Sequence, residues 1–145
     1  MRTLFRRTLA AVGCVVAVGL VGQSGLGLYA QAAGPGGHEH VVFSSALDNT
    51  PGSHLTAVVV TYGPGEKSPA HHHAGSVFAY VLSGAIRSEN SATGPSRVYS
   101  AGESFFEPVG SVHRVSENAS ATEPASLLAV FVAPAGAVLT APERQ

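Results

Sequence analysis

A single cysteine, Cys14, lies in an apolar N-terminal run, so the rest of the chain can form no disulfide and its fold must rest on its own core. Tryptophan is absent, methionine occurs once, and only 12% of residues are charged. No basic stretch or excess exists: eight Lys and Arg stand against nine Asp and Glu, which removes the electrostatic footprint of nucleic-acid binding. Internal repeats are missing, and so is any helical periodicity of useful length after residue 33. Against this background seven histidines stand out, all of them between residues 38 and 113.

The N-terminus is set apart from the folding problem. Arg2, Arg6 and Arg7 precede an apolar stretch that starts near Leu9, and Ala30-Gln31-Ala32 supplies small residues for cleavage. We expect residues 1–32 to be a signal peptide directing export to the periplasm or the medium. The alternative is an uncleaved anchor, because Leu9 to Ala30 approaches the roughly 20 residues a spanning helix needs; any membrane contact would come through this segment alone. The Arg6-Arg7 pair also resembles a twin-arginine signal, although Phe5 fits that consensus poorly. Cleavage removes three of the eight basic residues and leaves an acidic chain of one-domain size, able to bury a small core.

Residues 33–40, with "GPGG", read as a flexible leader, 41–133 as the folded domain and 134–145 as a Pro-rich tail. Within the domain, strands are expected at Val41–Leu47, Leu55–Tyr62, Val77–Leu82, Ala85–Glu89, Arg97–Ser100, Ser104–Glu107, His113–Glu117 and Ser126–Ala133. Gly, Pro, Ser and Asn punctuate them, the pattern of an all-β antiparallel sandwich or barrel. The runs "LTAVVVTY" and "LLAVFV" are apolar at nearly every position, as in strands covered on both sides.

In "PAHHHAGSVFAYVLSG", alternation along a strand puts His71 and His73 on one face and His72 on the other. Two imidazoles so placed can grip one ion. His113 follows a Pro-x-Gly turn, at the start of a later strand that a closed barrel can bring opposite the pair.

These segments resemble the cupin superfamily, in its small single-domain form. Its first motif is Gly, five residues, His-x-His, three or four residues, Glu, six residues, Gly; here Gly65, His71, His73 and Gly84 hold their places. The second is Gly, five residues, Pro-x-Gly, two residues, His, three residues, Asn; Gly102, Pro108, Gly110 and His113 match, with Asn118 one place late. The resemblance implies a jelly-roll, or double-stranded β-helix, barrel holding a divalent transition metal on His71, His73 and His113. It breaks at the carboxylate, whose position is taken by Val77. Neutral imidazoles suit Fe, Mn, Zn, Ni or Cu, and affinity order alone does not choose among them.

Glu107, just before the motif proline, is the candidate replacement: a fourth ligand, a catalytic acid or base beside the metal, or a rim charge paired with Arg97 or Arg114. Phe78, Tyr80 and Phe106 are candidate pocket residues, together with Phe105 and Phe131, or else simply fill the core. His38 and His40 belong to the leader, and His54 to a strand end. The function expected is that of a metal-dependent enzyme, of dioxygenase or isomerase/lyase type, on a small organic substrate. The alternative is an exported cupin that binds or senses a metal or small ligand without catalysis; a barrel holding no metal is a third reading. Homodimer formation is expected from the resemblance and from apolar outer strands.

Overall fold

The computed structural model describes residues 36–143. The signal or anchor expected at residues 1–32 lies outside these residues. Among them no helix is long and apolar enough to cross a membrane.

The structure is all-β, as expected. Its eleven strands are β1 (His38–Ala46), β2 (Ser53–Tyr62), β3 (Lys67–Ser68), β4 (His71–His73), β5 (Ser76–Ser83), β6 (Ala85–Asn90), β7 (Gly94–Ser100), β8 (Ser104–Glu107), β9 (Val112–Asn118), β10 (Ala125–Pro134) and β11 (Thr140–Pro142). One sheet runs β1-β2-β10-β5-β8; the other runs β11-β4-β9-β6-β7, with β3 also on β9. Every pairing is antiparallel.

Alternation along the strands builds the core between the two sheets. Val77, Ala79 and Val81 of β5 point inward and are at most 1% exposed, as does Ile86 of β6 at 0%. Leu127, Ala129 and Phe131 of β10, with Val58, Val60 and Tyr62 of β2, complete the same cluster. Fully burying a side chain of this kind contributes about 1.5–3 kcal/mol, and no disulfide assists.

Two glycines allow close approaches that a side chain would prevent. Gly84 turns β5 into β6 at φ +67°, and a Cβ there would stand 2.6 Å from the Pro124 carbonyl. Gly75, between β4 and β5, lies so close to the Val132 carbonyl that a Cβ would collide with it. Asn118, 5% exposed, clips two loops together. Its Nδ2 donates to the Gly63 and Glu123 carbonyls (2.9 and 2.7 Å) while its Oδ1 accepts from the Ser120 amide.

Two boundaries differ from expectation. The strand β1 begins at His38, inside the stretch read as leader, because pairing with β2 from His38↔Thr61 orders it; single-strand propensity cannot report such pairing. The tail read as separate from the barrel returns to it: β11 pairs with β4 through Thr140↔His73, Ala141↔His72 and Pro142↔His71. A three-residue edge strand that includes a proline is below what a sequence pattern can announce.

Candidate metal centre

The strands β4 and β9 place the histidines. His71 and His113 are register partners, and His73 follows two residues on, so all three rings face the interior between the sheets. Their ligand atoms lie within 4.8 Å of one another. Ring centroids of His71 stand 4.8 Å from His73 and 5.0 Å from His113. His72 points the other way, half exposed, with its Nδ1 3.6 Å from Glu143.

Hydrogen bonds orient two of the rings for ligation. His71 Nδ1 donates to the Pro69 carbonyl at 2.7 Å, and His73 Nδ1 to the Leu139 carbonyl at 3.1 Å with Thr140 Oγ1 at 3.2 Å. Each ring therefore keeps its Nε2 lone pair for an ion. Burial lowers the pKa of both, that of His71 to about 4, so both are neutral at pH 7. His113, 3% exposed, is fully engaged: its Nε2 is 2.8 Å from Ser88 Oγ and its Nδ1 3.1 Å from Glu107 Oε2. A carboxylate can only accept, so Nδ1 carries the proton and the Ser88 hydroxyl donates to Nε2. Ligation by His113 requires one of these two bonds to give way.

Glu107 is no rim charge. It is 3% exposed, and its Oε2 lies 3.7 Å from His73 Nε2 and accepts from Asn90 Nδ2 at 3.2 Å. Asn90 is itself held, donating to Ser111 Oγ at 2.9 Å and accepting from the Ala92 amide. Burial opposes ionisation of Glu107, but the hydrogen bond from His113 and the fields of His113, His73 and His71 outweigh it and hold the carboxyl below its usual range. The arginines considered as its partners are elsewhere, Arg97 on Glu103 and Arg114 near Glu89. Across the sheet, Glu107 of β8 is the register partner of Val77 of β5.

The donor set fits a transition-metal ion. Two atoms each about 2.1 Å from one ion stand roughly 3.0–3.4 Å apart in octahedral or tetrahedral sites. The histidine ligand atoms, within 4.8 Å of one another, and Glu107 Oε2, 3.7 Å from His73 Nε2, are somewhat wider than those separations and would draw together around an ion. A cavity of about 160 Å³ opens beside the cluster, walled by Val58, Val77, Ala79, Leu127, Phe105 and Phe131. Phe131 meets His73, and Phe105 meets His113, edge-on at 5.2 and 5.9 Å between centroids.

Residues 58–131 match the family model described as Cupin domain. The chain is a cupin. No curated protein matches it, but solved structures do. A conserved protein with a double-stranded β-helix domain from Klebsiella pneumoniae is 25% identical with a TM-score of 0.55, over 76% of this chain and 86% of that one. A mutant oxalate decarboxylase of Bacillus subtilis is also 25% identical (TM-score 0.53), over 68% of this chain and 26% of its own. The DMSP lyase DddQ from Ruegeria pomeroyi is 23% identical (TM-score 0.57), over 76% of this chain and 54% of its own, a likeness of fold alone. This cupin thus spans about half of the lyase and a quarter of the decarboxylase.

The pocket residues require correction. Phe78, Tyr80 and Phe106 are 46%, 39% and 50% exposed on the outer face of their sheet, and only Phe105 and Phe131 of the aromatic candidates line the cavity. Strand parity decides this, because an inward Val77 forces Phe78 and Tyr80 outward, and an inward Glu107 does the same to Phe106. Sequence reading missed Ser88, Asn90, Leu139 and Thr140. The first two lie on β6, which carries no motif residue, and Leu139 acts through its backbone carbonyl, which no side-chain pattern can signal.

Proposed function

We propose that this cupin is a metal-dependent enzyme that transforms a small organic molecule, with His71, His73 and His113 holding a divalent transition metal and Glu107 moving a proton at its Oε2 atom. The observation that carries this reading is Glu107: a buried carboxyl set against two of the three histidines at the wall of an apolar cavity. When bound, such an ion supplies Lewis acidity to a substrate oxygen and leaves coordination positions open to it. The protein does the rest. Asn90 fixes the carboxylate, Ser88 fixes the His113 ring, the backbone carbonyls of Pro69 and Leu139 set the tautomers of His71 and His73, and apolar side chains wall the cavity beside them. A carboxylate held below its usual pKa is present as a base at neutral pH.

The matched solved structures include proteins named as a lyase and a decarboxylase, which supports enzymatic use of the fold without transferring either activity. Metal analysis of the purified protein, followed by turnover and oxygen-uptake assays on 1,3-dicarbonyls, catechols and thiols, tests the proposal. Metal-dependent turnover lost in Glu107→Gln is the expected result, and oxygen uptake assigns dioxygenase rather than isomerase or lyase chemistry. Stoichiometric metal with no turnover across the panel contradicts it and favours a binding role.

Two further parts of this reading concern the whole protein. The charge-then-apolar order of residues 1–32 supports export, which cell fractionation of the full chain tests. Exposed Phe78, Tyr80, Leu82, Phe106 and Val132 share the outer face of one sheet and support pairing of two copies there, which light scattering tests.

A further inference from the structure

The cavity has a second polar region, away from the histidines. Tyr62, 2% exposed, projects from β2, and its hydroxyl lies 2.8 Å from Ser68 Oγ and 2.9 Å from Ser116 Oγ. Ser68 donates its one proton to the Gly36 carbonyl at 3.1 Å. Each hydroxyl has a single proton, so the direction of the chain is fixed. Tyr62 must donate to Ser68, and Ser116 must donate to Tyr62. Every proton in the chain is used within the protein, and what faces the cavity is lone pairs.

Beside this chain stands Glu39. It lies on β1 as the register partner of Val60 on β2, which turns its side chain to the inner face, and it is exposed where it lines the cavity. Among the described residues lining the cavity there is no lysine and no arginine, and the ionisable groups besides the histidines and Tyr62 are the carboxyls Glu39 and Glu107. Partial burial raises the pKa of Glu39, the mark of a carboxylate short of compensating partners. Only the Thr140 hydroxyl, beside His73, retains a proton that the hydrogen bonds of the site do not consume.

We propose that Glu39 is a specificity-determining residue, and that the cavity takes a small, mostly apolar molecule presenting a cationic or neutral hydrogen-bond donor, an ammonium or a hydroxyl, to Glu39, whose charge disfavours a carboxylate at that end of the cavity. In the metal-free protein an anion entering here meets acceptors and a negative charge, with no lysine or arginine on the cavity wall to offset them. A donor finds a carboxylate that makes no hydrogen bond among the described residues. The volume, about 160 Å³, is of the order of cavities that take a benzene-sized molecule, so an amino alcohol or diol of three to five carbons fits. This inference rests on the small-molecule reading of the cavity and not on the identity of the ion.

The test uses three probes of nearly equal shape, 1-amino-2-propanol, 1,2-propanediol and lactate. Binding is measured calorimetrically to the protein with and without its metal, for the wild type, Glu39→Gln and Glu39→Lys. Glu39→Gln is expected to weaken the ammonium probe about fivefold, tighten lactate by a similar factor and leave the diol unchanged, the size of effect a partly exposed charge exerts. Glu39→Lys is expected to reverse the preference. These shifts are expected in both metal states, with metal content and melting temperature unchanged, so they are read apart from any failure of the metal site. Equal shifts for all three probes, or none, overturn the assignment.

Discussion

Val77 and Glu107 face each other across β5 and β8, both inside the barrel, 1% and 3% exposed. The family pattern expects a carboxylate at the Val77 position, and this chain carries one at the register partner instead. Neighbouring strands lie about 4.8 Å apart, so the negative group has moved by one strand and still reaches the histidines.

That relation predicts the outcome of moving the carboxylate. Glu107→Val alone should leave His113 Nδ1 without its acceptor and Asn90 Nδ2 with Ser111 alone, destabilise the fold by about 1–3 kcal/mol and weaken metal binding. The double variant Val77→Glu/Glu107→Val should recover part of both losses. Chemical denaturation and metal titration of the two proteins check this; identical losses in both would show that the two positions are not exchangeable.

Glu107→Gln keeps the shape and the hydrogen bond from Asn90 but cannot take up a proton. Turnover should fall on the order of 10²–10⁴-fold, the usual worth of a positioned acid or base, with metal content nearly retained. A steady-state assay on any substrate found active decides it, a KM change without a kcat change being the contrary outcome.

Ser88 touches no ion in this account, yet it holds the His113 ring at 2.8 Å from inside the barrel. If His113 ligates through Nδ1, leaving Nε2 to Ser88, Ser88→Ala should lower metal affinity by about 10–100-fold, as loss of a group that orients a ligand does; a rise in affinity would assign Nε2 as the ligand and the Ser88 bond as the one that gives way. Competition with a chelator measures it, and Ser88→Thr should restore part of the affinity if a hydroxyl is what matters.

Acid should unfold the metal-free protein in a defined window. The folded-state pKa of His71 is lowered by burial to about 4, against about 6.5 for an unfolded chain, and that of His73 is lowered in the same direction. Below pH 6.5 the unfolded chain binds protons that the folded one refuses, so stability falls as pH drops from about 6.5 towards 4. Glu107, with its pKa depressed, adds a loss below the ordinary carboxylate range as it is forced to protonate. Thermal melts across pH 4–8 should show this decline, and bound metal should counter it while the imidazoles remain deprotonated. A flat profile would contradict the burial of these rings.

The C-terminal strand offers a fourth handle on the site. Removing residues 137–145 deletes the Leu139 carbonyl and Thr140 Oγ1 that orient His73, together with the β4 edge pairing. The barrel core contains only Leu139 from this segment, so the shortened protein should fold but hold its metal less tightly. Metal titration alongside circular dichroism separates the two effects.

Much of the architecture was legible because it is written in alternation and turn residues. The apolar runs of β2 and β10, the Gly84 turn and the two motifs around His71, His73 and His113 all announce themselves locally. The cavity wall was misread in part, since large aromatics attract attention while parity assigns Phe78, Tyr80 and Phe106 to the outside. The inward role of Glu107 stayed open in the sequence because strand register, not composition, sets it against Val77. Ser88, Asn90 and Leu139 were illegible for a related reason: they act through partners 25, 17 and 66 residues away.

The most direct test is the metal content of the purified protein beside its His73→Ala variant. The account predicts about one equivalent of a divalent transition metal in the wild type and little or none in the variant, with both folded by circular dichroism. Equal metal in the two proteins, or none in either after incubation with Fe, Mn, Zn, Ni or Cu, would contradict it.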